Sequence, residues 1–236
     1  MDSYKKMENI FVVGTDTGVG KTVLALLMMQ FFFSRGYNPF YLKPVQTGCK
    51  DPHDIDSDAR FVYENVGPLN DKEPADSIIY CFKNPKAPLF AARDEGKLID
   101  LSIIEKAVVE KARSYSPLII EGAGGVLVPV VRGTFVANLS VLTKSKPVIA
   151  ARAGLGTINH TLLTVEALAS RGLRPLGIIF IDAGEKETPP EMIAENILAV
   201  EDASGVKVTG VIGRIMDFTQ PPRDCYLPLS KMFGKL

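Results

Sequence analysis

The chain is predicted to be an α/β protein with a mostly parallel central sheet and helices on both faces. Three observations predict it. Its 236 residues, 46% of them hydrophobic, suffice for one large core, and one domain spanning 1–236 fits that length better than two. Short apolar runs alternate with segments of helical period along the chain, as in parallel strands joined by crossover helices. Near the N-terminus, Phe11-Val12-Val13-Gly14-Thr15-Asp16-Thr17-Gly18-Val19-Gly20-Lys21-Thr22 runs from an apolar stretch through a glycine-spaced turn into a helical segment.

That last stretch is a site for a nucleoside triphosphate and makes the fold a P-loop NTPase type. Gly18 and Gly20 let backbone N–H groups, with Val19 between them, close on phosphate oxygens. The helix from Lys21 through Thr22 and Val23 adds its positive end, Lys21 supplies a mobile cation, and the Thr22 hydroxyl is placed to bind Mg²⁺. The strict pattern G-x-x-x-x-G-K-[ST] would want glycine where Thr15 stands. The strand before the loop and the helix after it supply the context the mechanism requires.

The remaining elements follow in order. Ile10–Val13 reads as a strand and 21–35 as a buried helix; Phe40–Val45 as a strand, then a helix over 57–65. Ile78–Tyr80 is an additional strand, and 101–114 a helix with Leu101, Ile104, Val108 and Ala112 at helical spacing. Pro117–Ile120, Pro147–Ala151, Leu176–Ile181 and Val208–Ile212 are strands, with helices over 157–171 and 189–202. In such a sheet ligand loops gather at the carboxyl ends of the strands. Lys43 ends a hydrophobic strand there, either snorkelling out or aimed at the γ-phosphate and whatever attacks it. Asp54-Ile55-Asp56-Ser57-Asp58 is an acidic loop in which Asp56 or Ser57 could cap the next helix. Glu121 stands at the end of a buried strand, where an unpaired carboxylate would cost several kcal/mol unless paired or metal-bound. Gly122, Ala123, Gly124 and Gly125 follow it, and their small size lets backbone approach a ligand closely.

Taken together, Gly14-Thr15-Asp16-Thr17-Gly18-Val19-Gly20-Lys21-Thr22, Lys43-Pro44-Val45, Ser57-Asp58-Ala59 and Glu121-Gly122-Ala123-Gly124-Gly125 resemble the dethiobiotin synthetase family. The resemblance covers residues 9–183 well and the remainder loosely. It implies ATP-dependent closure of a cyclic urea from 7,8-diaminononanoate and CO₂. Asp58, with Thr22 and Glu121, is implied as a Mg²⁺ ligand. Lys43, Lys21 and Thr17 are the implied catalytic group, with Thr47 beside the diamine. Asn159, at the helix start after Gly154-Leu155-Gly156, is implied to hold the substrate carboxylate across a homodimer interface. Pro85-Lys86-Ala87-Pro88 resembles the loop beside the diamine, though a rigid surface turn reads equally well. The strand ending Ile181-Asp182 aligns with one that usually ends Asn-Asp, the asparagine reading adenine; here Ile181 replaces it and Asp182 is the nucleotide-side candidate. Gly213-Arg214-Ile215-Met216 departs from the family's usual Gly-Glu-Ile-Pro.

Composition excludes other classes. With 27 basic and 27 acidic residues, nothing in the charge favours nucleic acid or an anionic membrane as partner. Three cysteines, Cys49, Cys81 and Cys225, show no C-x-x-C spacing, so neither a disulfide framework nor a zinc site is indicated. The polar N-terminus does not read as a secretory signal, and a reducing, cytoplasmic setting is expected. Of two histidines, His53 reads as a loop residue and His160 as a packing residue. A partitioning ATPase would carry a lysine where Asp16 stands. An amidoligase sharing Glu-Gly-Ala-Gly-Gly would need a glutaminase domain for which the chain leaves no room.

Overall fold

The computed structural model describes residues 7–184 and 186–234. Seven strands form one sheet: β1 (Ile10–Gly14), β2 (Phe40–Thr47), β3 (Ile78–Phe82), β4 (Leu118–Gly125), β7 (Lys146–Arg152), β8 (Gly177–Ile181) and β9 (Val208–Ile212), in spatial order β3-β2-β4-β1-β7-β8-β9. Every pairing in it is parallel. A short antiparallel pair, β5 (Pro129–Val131) and β6 (Thr134–Phe135), lies apart from it. The helices are α1 (Lys21–Phe33), α2 (Asp58–Asn65), α3 (Pro88–Asp94), α4 (Leu101–Lys111), α5 (Val136–Leu142), α6 (Thr157–Ala169), α7 (Pro190–Ser204) and α8 (Leu227–Phe233). Among the described residues no helix is long and apolar enough to cross a membrane.

Strand alternation divides the core in two. Ile10 and Val12 of β1 pack with α1 on one face, whereas Phe11 and Val13 join the cluster on the other. The same period of two places Tyr41 and Ile119 on the α1 face and Leu42 and Ile120 opposite. Lys43 and Glu121, two residues beyond Tyr41 and Ile119, therefore fall on the face where α1 begins. α1 is apolar around most of its circumference because it is buried, from Leu24 through Phe32.

Predicted strands appear at their places, with ends displaced by a few residues. α1 stops at Phe33, where Ser34 caps it and Gly36 turns at φ 74°. α4 ends at Lys111 rather than 114, and β4 starts at Leu118. Ser57, not Asp56, caps α2, its Oγ accepting from Arg60 N–H. Three helices were not expected from the sequence. α3, with Pro88 in its first turn, begins inside the stretch read as either a diamine-side loop or a surface turn, while α5 and α8, at seven residues each, are too short for helical period to emerge.

Candidate functional site

β1 turns outward to β2 and β3, and the chain then returns through β4 to β7 on the other side of β1. Loops leaving the carboxyl ends of β1 and β4 thus diverge and open a crevice. A cleft of about 920 Å³ lies there, walled by residues 17–23, Lys43, Gln46, Thr47, Asp58 and Glu121 among others.

The phosphate loop forms its floor. Gly20 precedes α1 at φ 89°, and no side chain caps the helix, so the first N–H groups of α1 remain available to an anion. A side chain at Gly20 is blocked twice, by that φ and by Ile181, whose Cγ2 lies 2.9 Å from where a Cβ would stand. Lys21 Nζ donates to the Asp16 carbonyl at 2.8 Å. Burial, with the like charge of Lys43, pushes the Lys21 ammonium down to about 8, and anionic oxygens reaching it would favour its charged form further.

Beside that floor sits a buried network. Lys43 Nζ lies 2.7 Å from both Asp58 Oδ2 and Glu121 Oε1. The Thr22 hydroxyl is 3.1 Å from Asp58 Oδ1 and 2.9 Å from Glu121 Oε1. Tyr41 closes the set, its hydroxyl donating to Glu121 Oε2 at 2.7 Å. Burial alone would lower the Lys43 pKa; Asp58 and Glu121 outweigh it and hold the ammonium above the usual lysine range. Burial opposes ionisation of Asp58 too, and Lys43 overcomes it, keeping that carboxyl below its ordinary value. The Tyr41 phenol, fully buried beside Glu121, is raised well above its ordinary value and stays a donor. Two carboxylates and one hydroxyl converging beside a phosphate loop are the oxygen set that Mg²⁺ favours when phosphate and water complete its octahedron.

Other sequence-predicted residues fall in different places. Thr17, Thr47, Ala123 and Gly124 line the cleft, whereas Gly122 lies behind its wall. Val136 Cγ1, 2.7 Å from a Cβ at Gly122, excludes any larger residue there. Asp182 is turned away, accepting from Thr188 N–H at 3.0 Å and its hydroxyl at 2.8 Å; Ile181, Ala183 and Gly184 form this part of the wall. Asn159 is exposed in the first turn of α6 and is not part of its own chain's cleft wall. His53 stays in its loop, 3.1 Å from Glu73.

Three residues escaped the sequence reading. Tyr41 looks like one more core aromatic in a strand. Gln46 lines the cleft, and its Oε1 accepts from Asp58 N–H at 3.3 Å. Arg152 reaches the cleft from the end of β7, with Nη2 3.5 Å from the Thr17 carbonyl. A charged residue directly after the apolar run Pro147–Ala151 was the available signal for Arg152. Nothing local marks Tyr41 or Gln46.

The sequence matches the AAA domain family over residues 8–222. It is similar to proteins named ATP-dependent dethiobiotin synthetase BioD. The one from Anaeromyxobacter dehalogenans is 39% identical over 186 residues, 78% of this chain and 80% of that protein. The one from Methanococcus vannielii is 32% identical over 94% of this chain and 98% of that one. A third, from Anaeromyxobacter sp. Fw109-5, is 36% identical over 98% and 99%, so relatedness continues well past residue 183. Among solved structures, the fold is shared with the septum site-determining protein MinD of Pyrococcus horikoshii complexed with Mg-ADP, at TM-score 0.61 and 17% identity over 97% of this chain and 96% of that one. MinD of Pyrococcus furiosus gives TM-score 0.58 and 16% identity, over 97% and 99%. With the phosphate loop, Lys43, Asp58 and Glu121 joined in one cleft and full-length relatives of one name, the chain belongs to the dethiobiotin synthetase family.

Proposed function

We propose that this chain, a single P-loop domain, is a dethiobiotin synthase. It would close 7,8-diaminononanoate, CO₂ and ATP to dethiobiotin, ADP and phosphate, a step of biotin biosynthesis in the cytoplasm. The observation that carries this reading is Lys43 Nζ held at 2.7 Å between Asp58 and Glu121, beside the phosphate loop. It puts a second fixed cation next to Lys21, where a γ-phosphate and its attacker would meet.

One substrate amine captures CO₂ as a carbamate. The carbamate oxygen then attacks the γ-phosphorus and expels ADP, leaving a carbamic-phosphoric anhydride. The second amine attacks the anhydride carbonyl, and phosphate departs as the ring closes. No protein nucleophile is required. Lys21 and Lys43 stabilise charge as it moves from carbamate to phosphoryl oxygens, in a step governed by positioning and electrostatics. Thr17 and Thr47 orient the carbamate and the amine, and Gly18–Val23 cradle the phosphates. Thr22, Asp58 and Glu121 would hold Mg²⁺, which when bound neutralises phosphate charge. Tyr41 keeps the Glu121 carboxylate in one orientation for that task. Phosphate release that requires both diamine and bicarbonate tests the whole reading. Release indifferent to them would favour a switch ATPase instead.

Base selection is expected to be weak. A site that hydrogen-bonds a base rejects analogues by leaving buried polar groups unpaired. Ile181 offers no such group, and the Asp182 carboxylate is engaged by Thr188. We therefore expect kcat/KM for ATP to exceed that for GTP or CTP by only about 10-fold, roughly 1.4 kcal/mol. Competition at saturating diamine and bicarbonate measures it. A preference of a thousandfold would mean that another group reads adenine.

The substrate carboxylate is assigned to a second subunit. Asn159 is exposed at the start of α6, and the same stretch presents Leu155 at 94% and Leu163 at 55% exposure, supporting a homodimer contact. Asn159→Ala should weaken diamine binding several-fold and leave ATP binding nearly unchanged, since no nucleotide contact is assigned to it. Calorimetric titration of each ligand, with light scattering for assembly, checks this; a fully active monomer would defeat it.

A further inference from the structure

We propose that Cys49 and Cys81 constitute a redox modification site: a dithiol at the carboxyl ends of β2 and β3 that closes into an intramolecular disulfide when it meets a small disulfide oxidant. Their Sγ atoms are 3.1 Å apart, although 32 residues separate them in sequence. The backbone brings this about. β2 and β3 run parallel with Gln46 opposite Cys81 and Thr47 opposite Phe82. Gly48 N–H donates to the Phe82 carbonyl at 3.0 Å. Gly48 then turns at φ 82°, so Cys49 folds back until its carbonyl is 3.6 Å from Cys81 Sγ. Both residues are thiols in the structure. Cys225 belongs to the core on the α1 face and takes no part.

The two sulfurs differ in access, which orders the steps. Cys49 is buried, while Cys81 is partly exposed, so an incoming disulfide reaches Cys81 first. Cys81, losing its proton to solvent, attacks one sulfur of oxidised glutathione as the thiolate, forms a mixed disulfide and releases one glutathione thiolate, which takes up a proton. Cys49, giving its proton to solvent, attacks the Cys81 sulfur and releases the second. Two protein thiols are oxidised and one glutathione disulfide is reduced. Burial pushes both thiols upward, with Asp51, Asp54, Asp58 and Glu95 adding negative charge and Lys97 opposing it at Cys81. The resting form is therefore a protonated dithiol. Closure would tie together the strands that lead into two cleft walls, one through Thr47 and the other through Pro85.

The experiment uses the intact chain incubated with excess oxidised glutathione under native conditions, followed by intact mass, peptide mapping and thermal melting. The expected result is a loss of two hydrogens, a linked pair of peptides containing Cys49 and Cys81, and a rise in Tm of about 5–10 °C from closing a loop of this length. Dithiothreitol should reverse all three. Cys49→Ser should keep a glutathione adduct on Cys81 without the mass loss, because nothing resolves it. The proposal fails if wild-type protein retains two titratable thiols at these positions, stops at the glutathione adduct, or forms its bond through Cys225. The mass measurement on wild type decides the matter even if the serine variant does not fold.

Discussion

Lys43→Ala is expected to lower kcat by about 10² or more, while ADP affinity changes only a few-fold. The two effects separate because Lys43 and the phosphate loop do different things. In the proposed reaction nucleotide would be held by the N–H groups at the start of α1 and by Lys21, all untouched by the substitution. In the same proposal Lys43 would face the place where charge develops, and a preorganised cation in a partly dry site is worth far more there than in water. Its removal also leaves Asp58 and Glu121 confronting each other across Thr22, without the ammonium that lies 2.7 Å from each. Single-turnover measurement of phosphate release, beside calorimetry with ADP, separates chemistry from binding. Near-normal ring closure would reduce Lys43 to a strand-end lysine.

Glu121→Ala is expected to destabilise the fold by about 3–5 kcal/mol, the usual cost of breaking a buried ion pair by removing one partner. The carboxylate is 1% exposed and accepts from Lys43, Tyr41 and Thr22. Its loss strands the Tyr41 hydroxyl in a fully buried position and leaves Lys43 with Asp58 alone. Glu121→Gln retains the shape and much of the hydrogen bonding, so it should lose less. Urea denaturation of both variants gives the comparison. Equal stability of wild type and alanine variant would show that the network contributes little to folding.

How much of this was legible in the sequence depends on how local each signal is. The phosphate loop announces itself within nine residues, and Lys43 and Glu121 are conspicuous because charge at the end of an apolar strand needs a reason. The seven strands of the main sheet were legible from apolar runs, unlike the short pair β5 and β6, and α1, α2, α4, α6 and α7 from their length and period. Tyr41 was not legible, because a tyrosine in a buried strand is ordinary until β4 is known to lie beside β2. Arg152 depends likewise on the position of β7 next to β1. α3, α5 and α8 are short helices of seven residues each, whose existence is decided by packing. The proximity of Cys49 and Cys81 follows from strand pairing and one left-handed glycine, neither of which cysteine spacing records.

The position of β4 has a consequence for how the molecule forms. β4 is inserted between β1 and β2, yet it comes long after both in the chain: Glu121 is 99 residues from Thr22 and 78 from Lys43. Contacts of such separation close large loops and are slow to form. While β4 is absent, β1 and β2 lack their shared neighbour, and Lys43 has no Glu121. The Glu121 carboxylate therefore arrives with the strand that completes the centre of the sheet, so a partly folded chain could carry a phosphate loop but not the joined Lys43, Asp58 and Glu121 network.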